Sequence, residues 1–344
     1  MNRSIWAWVR VLGGVGILAV LLWRLGTGAF VDGLKVIDGP ALALAFTIGV
    51  ATTVFSAWRW CLVARGLGMT LSLRGAIADY YKALFINAAL PGGVLGDVDR
   101  AVQHGREEGD VGRSVRAVVL ERTAGQVVLF SVGATVLLTV PSPVLSHLQA
   151  NVRGIAVGAV TVAGLAALLV FAVGRLRGGA SRWARAARTG VAEVRSGLLN
   201  RRNWPGIMLA STIVLAGHLA TFVVAARAAG SEASLLRLAP LMLLALLAMA
   251  LPVNIGGWGP REGVTAWAFG AAGLSATQGL TIAVIYGVFA FVAALPGLVV
   301  IVARALAGAR AKARAAAVVT VAEPAVVHPQ KILLPVRELV GSGA

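Results

Sequence analysis

Cysteine is nearly absent: Cys61 stands alone, so no disulfide framework and no cysteine metal cluster can be built. Histidine is almost as scarce, and the four at positions 104, 147, 218 and 328 show no ligand spacing. No Walker loop, nucleophile elbow or dinucleotide fingerprint occurs. The sequence therefore assigns no metal, no cofactor and no catalytic residue. Charge is thin as well. Only 13% of residues are charged, against roughly 25% in soluble domains, which excludes an ordinary soluble protein.

Apolar residues fill the gap, at 58% of 344 and a mean hydropathy of +0.84. A helix crosses the hydrocarbon with about 20 mostly apolar residues. Runs such as "ALALAFTIGVATTVFSAW" (41–58) and "VVLFSVGATVLLTV" (127–140) supply them. The fold class expected is an all-α polytopic membrane protein. A net charge of +17 would point to nucleic acid in a soluble chain. Here the cations lie between apolar runs, where the positive-inside rule places them in the cytoplasm, so no nucleic-acid partner is expected. The start, "MNRSIWAWVRVLGGVGILAVLLWRLG", lacks a small-residue cleavage site and reads as a first helix rather than a signal peptide. Richness in Ala, Gly and Arg with four lysines points to a GC-rich bacterial genome, hence the bacterial plasma (inner) membrane.

Loop charge threads the chain. The segment 174–202 holds eight arginines against one glutamate and is the firmest cytoplasmic assignment. Segments 141–151 and 229–236 carry no Lys or Arg and fall outside, joined by helices at about 115–140, 153–173 and 205–228. Arg59, Arg65, Arg74, Arg113 and Arg116 are all then inside, although the apolar segment 75–90 lies between the two groups. A hairpin that enters from the cytoplasm and turns at Pro91, Gly92 and Gly93 restores the parity. Downstream, residues 238–252 start outside while Arg304, Arg310, Lys312 and Arg314 lie inside, so a second hairpin breaks between Pro252 and Gly259. The topology is six full spans plus two broken or re-entrant hairpins from opposite faces, with both termini cytoplasmic. An integral membrane domain occupies 1–304, with repeats at about 41–173 and 205–304. Residues 305–344, rich in Ala, Pro and Arg, read as a disordered cytoplasmic tail.

The two breaks resemble each other. "ALPGGVLGDVDR" (89–100) and "ALPVNIGGWGPR" (250–261) share Ala, Leu, Pro, Gly and Arg at identical offsets. Of four Leu-Pro pairs, only these have glycine six residues beyond the leucine and arginine ten beyond it. Proline removes a backbone donor and glycine permits positive φ. Each break thus frees N–H and C=O groups, which membranes tolerate only where protein or water covers them. Paired discontinuous helices from inverted repeats are how many transporters build a midplane site. Simple Pro-Gly kinks with interfacial arginines are the plainer alternative.

Ionisable residues inside membrane segments are candidates for function by default. Here they are Asp79, Lys82, Asp97, Asp99, Arg100, Glu121, Arg122, His218, Arg227, Arg261 and Glu262. Asp79 and Lys82 are spaced to neutralise each other. Adjacent Glu121 and Arg122 point about 100° apart and need partners on other helices. Arg100, Arg122 and Arg261 could form a cationic cluster balanced by Asp97, Glu121 and Glu262, suited to a phosphate. The binding set is completed by Pro91, Gly92, Gly93, Pro252, Asn254, Gly256, Gly257 and Trp258 from the breaks. Trp258 would either cover a pocket or belong to an interfacial belt. His218 reads as a packed, hydrogen-bonded helix residue, and Arg227 as one that snorkels to headgroups.

"NAALPGGVLGDVDR", "ERTAG" and "LPVNIGGWGPREG", in this order and at these separations, resemble the lysylphosphatidylglycerol synthase transmembrane-region family, the membrane half of the multiple peptide resistance factor. The likeness spans roughly residues 10 to 305. Leu95 departs from it, standing where glycine is frequent. In two-domain relatives this region is associated with moving aminoacylated phosphatidylglycerol between leaflets, while a soluble domain makes that lipid. The resemblance implies the translocating half, and lysyl transfer is not expected of this chain. The function expected is a lipid flippase or lipid-carrier transporter acting on an anionic phospholipid or polyprenyl-phosphate lipid. The alternatives are a membrane-embedded glycosyl or phospholipid transferase using Asp97, Asp99, Glu121 or Glu262 as base, and a noncatalytic partner of a separate lipid synthase. A homo-oligomer is compatible with the sequence.

Overall fold

The computed structural model describes residues 35–90, 93–142, 145–146, 190, 192–250 and 258–321. Every element among them is an α-helix: α1 (Gly39–Gly66), α2 (Leu73–Ala89), α3 (Leu95–Glu107), α4 (Val111–Thr139), α5 (Trp204–Ala228), α6 (Leu235–Met249), α7 (Pro260–Ala271), α8 (Ala276–Ala294) and α9 (Pro296–Val321). The expected first helix, the span at 153–173 and most of the arginine-rich loop lie outside the described residues. So do the break residues Pro91, Gly92, Pro252, Asn254, Gly256 and Gly257. The chain forms two compact units, Met1–Ile301 and Val302–Ala344. In the second, residues 302–321 are helical, where low complexity suggested disorder from 305. Alanine and arginine are strong helix formers, which accounts for it.

The helix starts are written locally. Asp38 accepts the Ala41 N–H at 2.8 Å and Asp110 the Arg113 N–H at 2.8 Å, while Ser72, Ser234 and Ser275 cap α2, α6 and α8. Among the described residues, four stretches are long and apolar enough to span a membrane: Gly39–Gly66, Val111–Thr139, Trp204–Ala228 and Ala276–Ala311. Apolar residues occupy both sides of these helices. Phe222 and Tyr286 fill the interior, while Phe130, Leu138 and Leu209 are each more than half exposed on the outside. An outer apolar surface of that kind suits lipid rather than water.

Between the spans, two helical hairpins fold back on themselves. In the first, Lys82 on α2 reaches Asp99 (2.7 Å) and Gln103 (3.0 Å) on α3, and Asn87 accepts the Gly96 N–H at 2.8 Å. Its open end lies where α4 begins, since Thr70 bonds Glu108 at 2.7 Å and Gly105 packs on Val111. In the second, Arg237 at the start of α6 donates to the Ala272 carbonyl beyond α7 at 2.8 Å. That open end lies where α4 finishes, with Pro141 and Ser142 sharing a small pocket with Arg237 and Ala272. The open ends of the two hairpins therefore lie near opposite ends of α4.

Close approach is built into the first hairpin at Gly96. A Cβ there would lie 2.1 Å from the Ala83 carbonyl oxygen, a backbone atom that cannot step aside. Gly96→Ala should open the α2–α3 contact at a cost of about 1–3 kcal/mol. A clearly lowered thermal midpoint in detergent is expected; an unchanged midpoint would contradict this packing.

Candidate functional site

Packed against the first hairpin is a carboxylate with no exposed surface. Glu121, on α4, accepts from Arg59 Nε on α1 at 2.9 Å, from Arg100 Nη2 on α3 at 2.8 Å and from the Tyr80 hydroxyl on α2 at 3.2 Å. Arg100 also donates through Nε to Asp97 at 2.9 Å. The same Asp97 oxygen receives Arg122 Nη2 at 2.7 Å, and its other oxygen receives Asn87. Arg59 spends its remaining nitrogen on Ser211 at 3.1 Å. Buried charge is tolerable only when paired and hydrogen-bonded, and here each carboxylate meets two guanidiniums. Arg100, 1% exposed, is held with its guanidinium 4.6 Å from the Trp60 ring centre and 4.5 Å from that of Tyr80.

The second hairpin repeats this chemistry with different parts. Gly259 caps α7 at φ 110°, a backbone region that glycine alone enters freely. Its N–H donates to Glu262 Oε2 at 2.7 Å. Arg261 donates to the other oxygen of Glu262 through Nε at 3.0 Å and through Nη2. Its guanidinium lies 5.2 Å from the Trp258 ring centre and 5.1 Å from that of Tyr286. Tyr286 hydrogen-bonds His218 Nδ1 at 3.0 Å. Gly287 leaves room for this arrangement, since a Cβ there would stand 2.5 Å from Arg261 Nη2.

Between the hairpins lies a cavity of about 360 Å³. Gly93 and the end of α2 reach it from one hairpin, and the end of α6 with Trp258 reaches it from the other. Three guanidiniums line it, those of Arg59, Arg122 and Arg261, together with Asn87, Gln126, Ser211, His218 and Tyr286. Among the described residues no carboxylate lines it: Asp97, Glu121 and Glu262 stand behind their arginines. Leu84, Leu129, Leu246 and Phe291 make much of the remaining wall. Arg122 sits eleven residues into α4, about 16 Å along its axis, so the cavity is deep within the bundle.

The residues expected from the sequence fall into several groups. Gly93, Arg122, Trp258 and Arg261 reach the cavity, while Asp97, Glu121 and Glu262 support it from behind. Arg100 joins the network but does not line the cavity. Pro91, Gly92, Pro252, Asn254, Gly256 and Gly257 lie outside the described residues. Lys82 pairs with Asp99, and Arg227 bonds the Ser231 carbonyl at its own helix end. His218 is hydrogen-bonded, as a packed residue should be, and faces the cavity too. Arg59 was missed as a site residue because loop counting placed it with the cytoplasmic arginines. Its position inside "FSAWRWCLVA" (55–64), apolar on both sides, is the signal that could have found it.

Long apolar helices and lipid-facing surface around a buried ionic centre define an integral membrane protein. Within that class, the model of the lysylphosphatidylglycerol synthase TM region matches residues 7–297, and the chain belongs to this family. No curated protein matches the chain.

Removing the central anion tests the network. Glu121→Gln leaves Arg59 and Arg100 short of charge compensation where water cannot supply it, a loss of about 3–5 kcal/mol for a broken buried pair. A thermal midpoint in detergent equal to that of the parent protein would show that the pairing carries no weight.

Proposed function

We propose that this chain is a lipid transporter of the flippase type, moving an anionic phospholipid or a lipid-carrier phosphate between the leaflets of a bacterial plasma membrane. The observation that carries this reading is the cavity: two helical hairpins meet at one chamber, faced by three guanidiniums and, among the described residues, no carboxylate. Guanidinium forks match phosphate oxygens, and the apolar wall offers the acyl region a lining. In this reading both hairpins are re-entrant, six helices span, and both termini are cytoplasmic. Access alternates as one hairpin or the other withdraws its tip from the chamber. Membership of a family named for a lipid synthase's membrane region is in keeping with a lipid ligand.

A transferase would need a free carboxylate as base. Asp97 is occupied by Arg100, Arg122 and Asn87, and Asp99 turns to Lys82, so the two do not converge. The vesicle experiment covers this reading as well.

Purified protein in vesicles carrying a fluorescent phosphatidylglycerol should speed leaflet exchange above that of protein-free vesicles, with no new lipid formed. Arg122→Gln removes charge-assisted hydrogen bonds worth about 1.5–3 kcal/mol, so exchange should fall roughly tenfold or more while expression holds. Gly287→Ala should slow exchange too, because it displaces Arg261 and Trp258. Their side chains can yield, so the fold should survive. Exchange equal to background in the parent protein, or unaffected by Arg122→Gln, overturns transport; a new lipid product points to the transferase.

A further inference from the structure

The chamber offers more than a bare phosphate uses. Phosphate oxygens only accept, so guanidiniums alone would serve them. Yet Gln126, Ser211 and Tyr286, which both donate and accept, line the chamber as well. The two hydroxyls are partly engaged: Ser211 accepts from Arg59 at 3.1 Å, and Tyr286 bonds His218 at 3.0 Å, which leaves each with further capacity. Asn87, another amide on the wall, has both ends occupied, accepting from Gly96 and donating to Asp97. Gln126 is different. Its side-chain oxygen is buried and has no hydrogen-bond partner, and a buried amide left unpaired is costly.

Position narrows what would answer it. Arg122 and Gln126 stand one turn apart on the same face of α4, about 6 Å along its axis. We infer that Gln126 is the residue that selects the headgroup, and that the ligand is a phosphodiester carrying a hydroxyl on the carbon next to its ester carbon. With the phosphate on Arg122, such a hydroxyl stands within reach of the Gln126 amide, which turns broadly about its last side-chain torsion. A hydroxyl satisfies either end of that amide, because it both donates and accepts. An ammonium satisfies the oxygen only, and an alkyl headgroup satisfies neither end. Glycerol and sugar headgroups share this hydroxyl, so the same chemistry comes from a phospholipid or from a polyprenyl phosphodiester. A site built around a hydroxyl rejects the analogue that lacks it, since its own polar group is then stranded. This inference rests on the cavity being the lipid site proposed above.

Binding can be measured without any leaflet movement, using two pairs of lipids matched in charge. One is phosphatidylglycerol with phosphatidylpropanol; the other is a polyprenyl phosphohexose with the corresponding propyl phosphodiester. Each pair is offered in equimolar mixture to the full chain in neutral detergent, and bound lipid is counted by native mass spectrometry. The pair retained more strongly identifies the source of the headgroup. Within that pair the hydroxylated lipid should exceed its propyl partner about tenfold, and Gln126→Leu should bring the ratio below about twofold by lowering the hydroxylated lipid alone. Should Gln126→Leu fail to fold, the parent protein's ratio still decides. A parent ratio below about twofold in both pairs, or a preference that survives Gln126→Leu, overturns the inference. Selective binding with no vesicle exchange would remove transport and leave this assignment standing; exchange with equal binding within each pair would do the reverse.

Discussion

A carboxylate that water never touches organises this molecule. Glu121 is fully buried in α4, and an anion in such a place obliges cations to come to it. Two come, Arg59 from α1 and Arg100 from α3, and the neutral Tyr80 hydroxyl adds a third donor from α2. Burying Glu121 therefore fixes two spans and a hairpin against one another. The cations bring further obligations, which Asp97 and Ser211 meet. Apolar contact alone would leave these helices free to slide, because lipid tails are as apolar as leucine and association gains little from burial. The ionic network supplies register where greasy surfaces cannot.

The two hairpins solve one problem with different parts. Arg100 and Arg261 hold the same offset in the two matching segments, and each lies between a tryptophan and a tyrosine ring and against a buried glutamate. In the first hairpin those partners come from α1, α2 and α4; in the second, Trp258 and Glu262 are local and only Tyr286 comes from another helix. The first arginine is consequently sealed behind the network, and the second faces the chamber. Like chemistry at like offsets is in keeping with a repeat. The difference in partners makes the chamber asymmetric, with two arginines of an extended network on one wall and an arginine held by its neighbouring glutamate on the other.

Much of this was legible before any coordinates. Pro-Gly breaks flanked by charge are conspicuous in an apolar chain, and near each of them the chain folds back as a pair of helices. Glu121 and Arg122, expected from their 100° separation to find partners on other helices, do so: Glu121 turns to α1, α2 and α3, and Arg122 turns to Asp97, whereas the equally adjacent Arg261 and Glu262 in the first turn of α7 pair with each other. Which arginine faces the cavity was not legible. Arg59 and Arg100 differ in how α1 and α3 are rotated, and rotation is set by packing that no local pattern records. Counting positive charges also misassigned Arg59, because that rule treats every arginine near a helix end as a topological marker. Asn87, Gln126, Ser211 and Tyr286 carry no charge to draw attention within apolar runs, so only the folded chain brings them together.

Among the cavity-facing cations, freedom is unequally shared. Arg59 is 4% exposed, and its guanidinium is fully engaged by Glu121 and Ser211. Arg261 is clasped by Glu262 and two rings. Arg122 is the exception: its side chain is 41% exposed, and its guanidinium hydrogen-bonds Asp97 and lies 5.7 Å from the Tyr80 ring centre. Asp97 keeps Arg100 and Asn87 if Arg122 departs, so the parting orphans no buried group. An incoming anion thus meets two fixed guanidiniums and one that can transfer to it at small cost. That transfer would weaken the direct bond between α4 and the α3 end of the first hairpin. Ligand and hairpin would then compete for the same side chain, which is the differential interaction a binding event needs if it is to shift a conformational equilibrium.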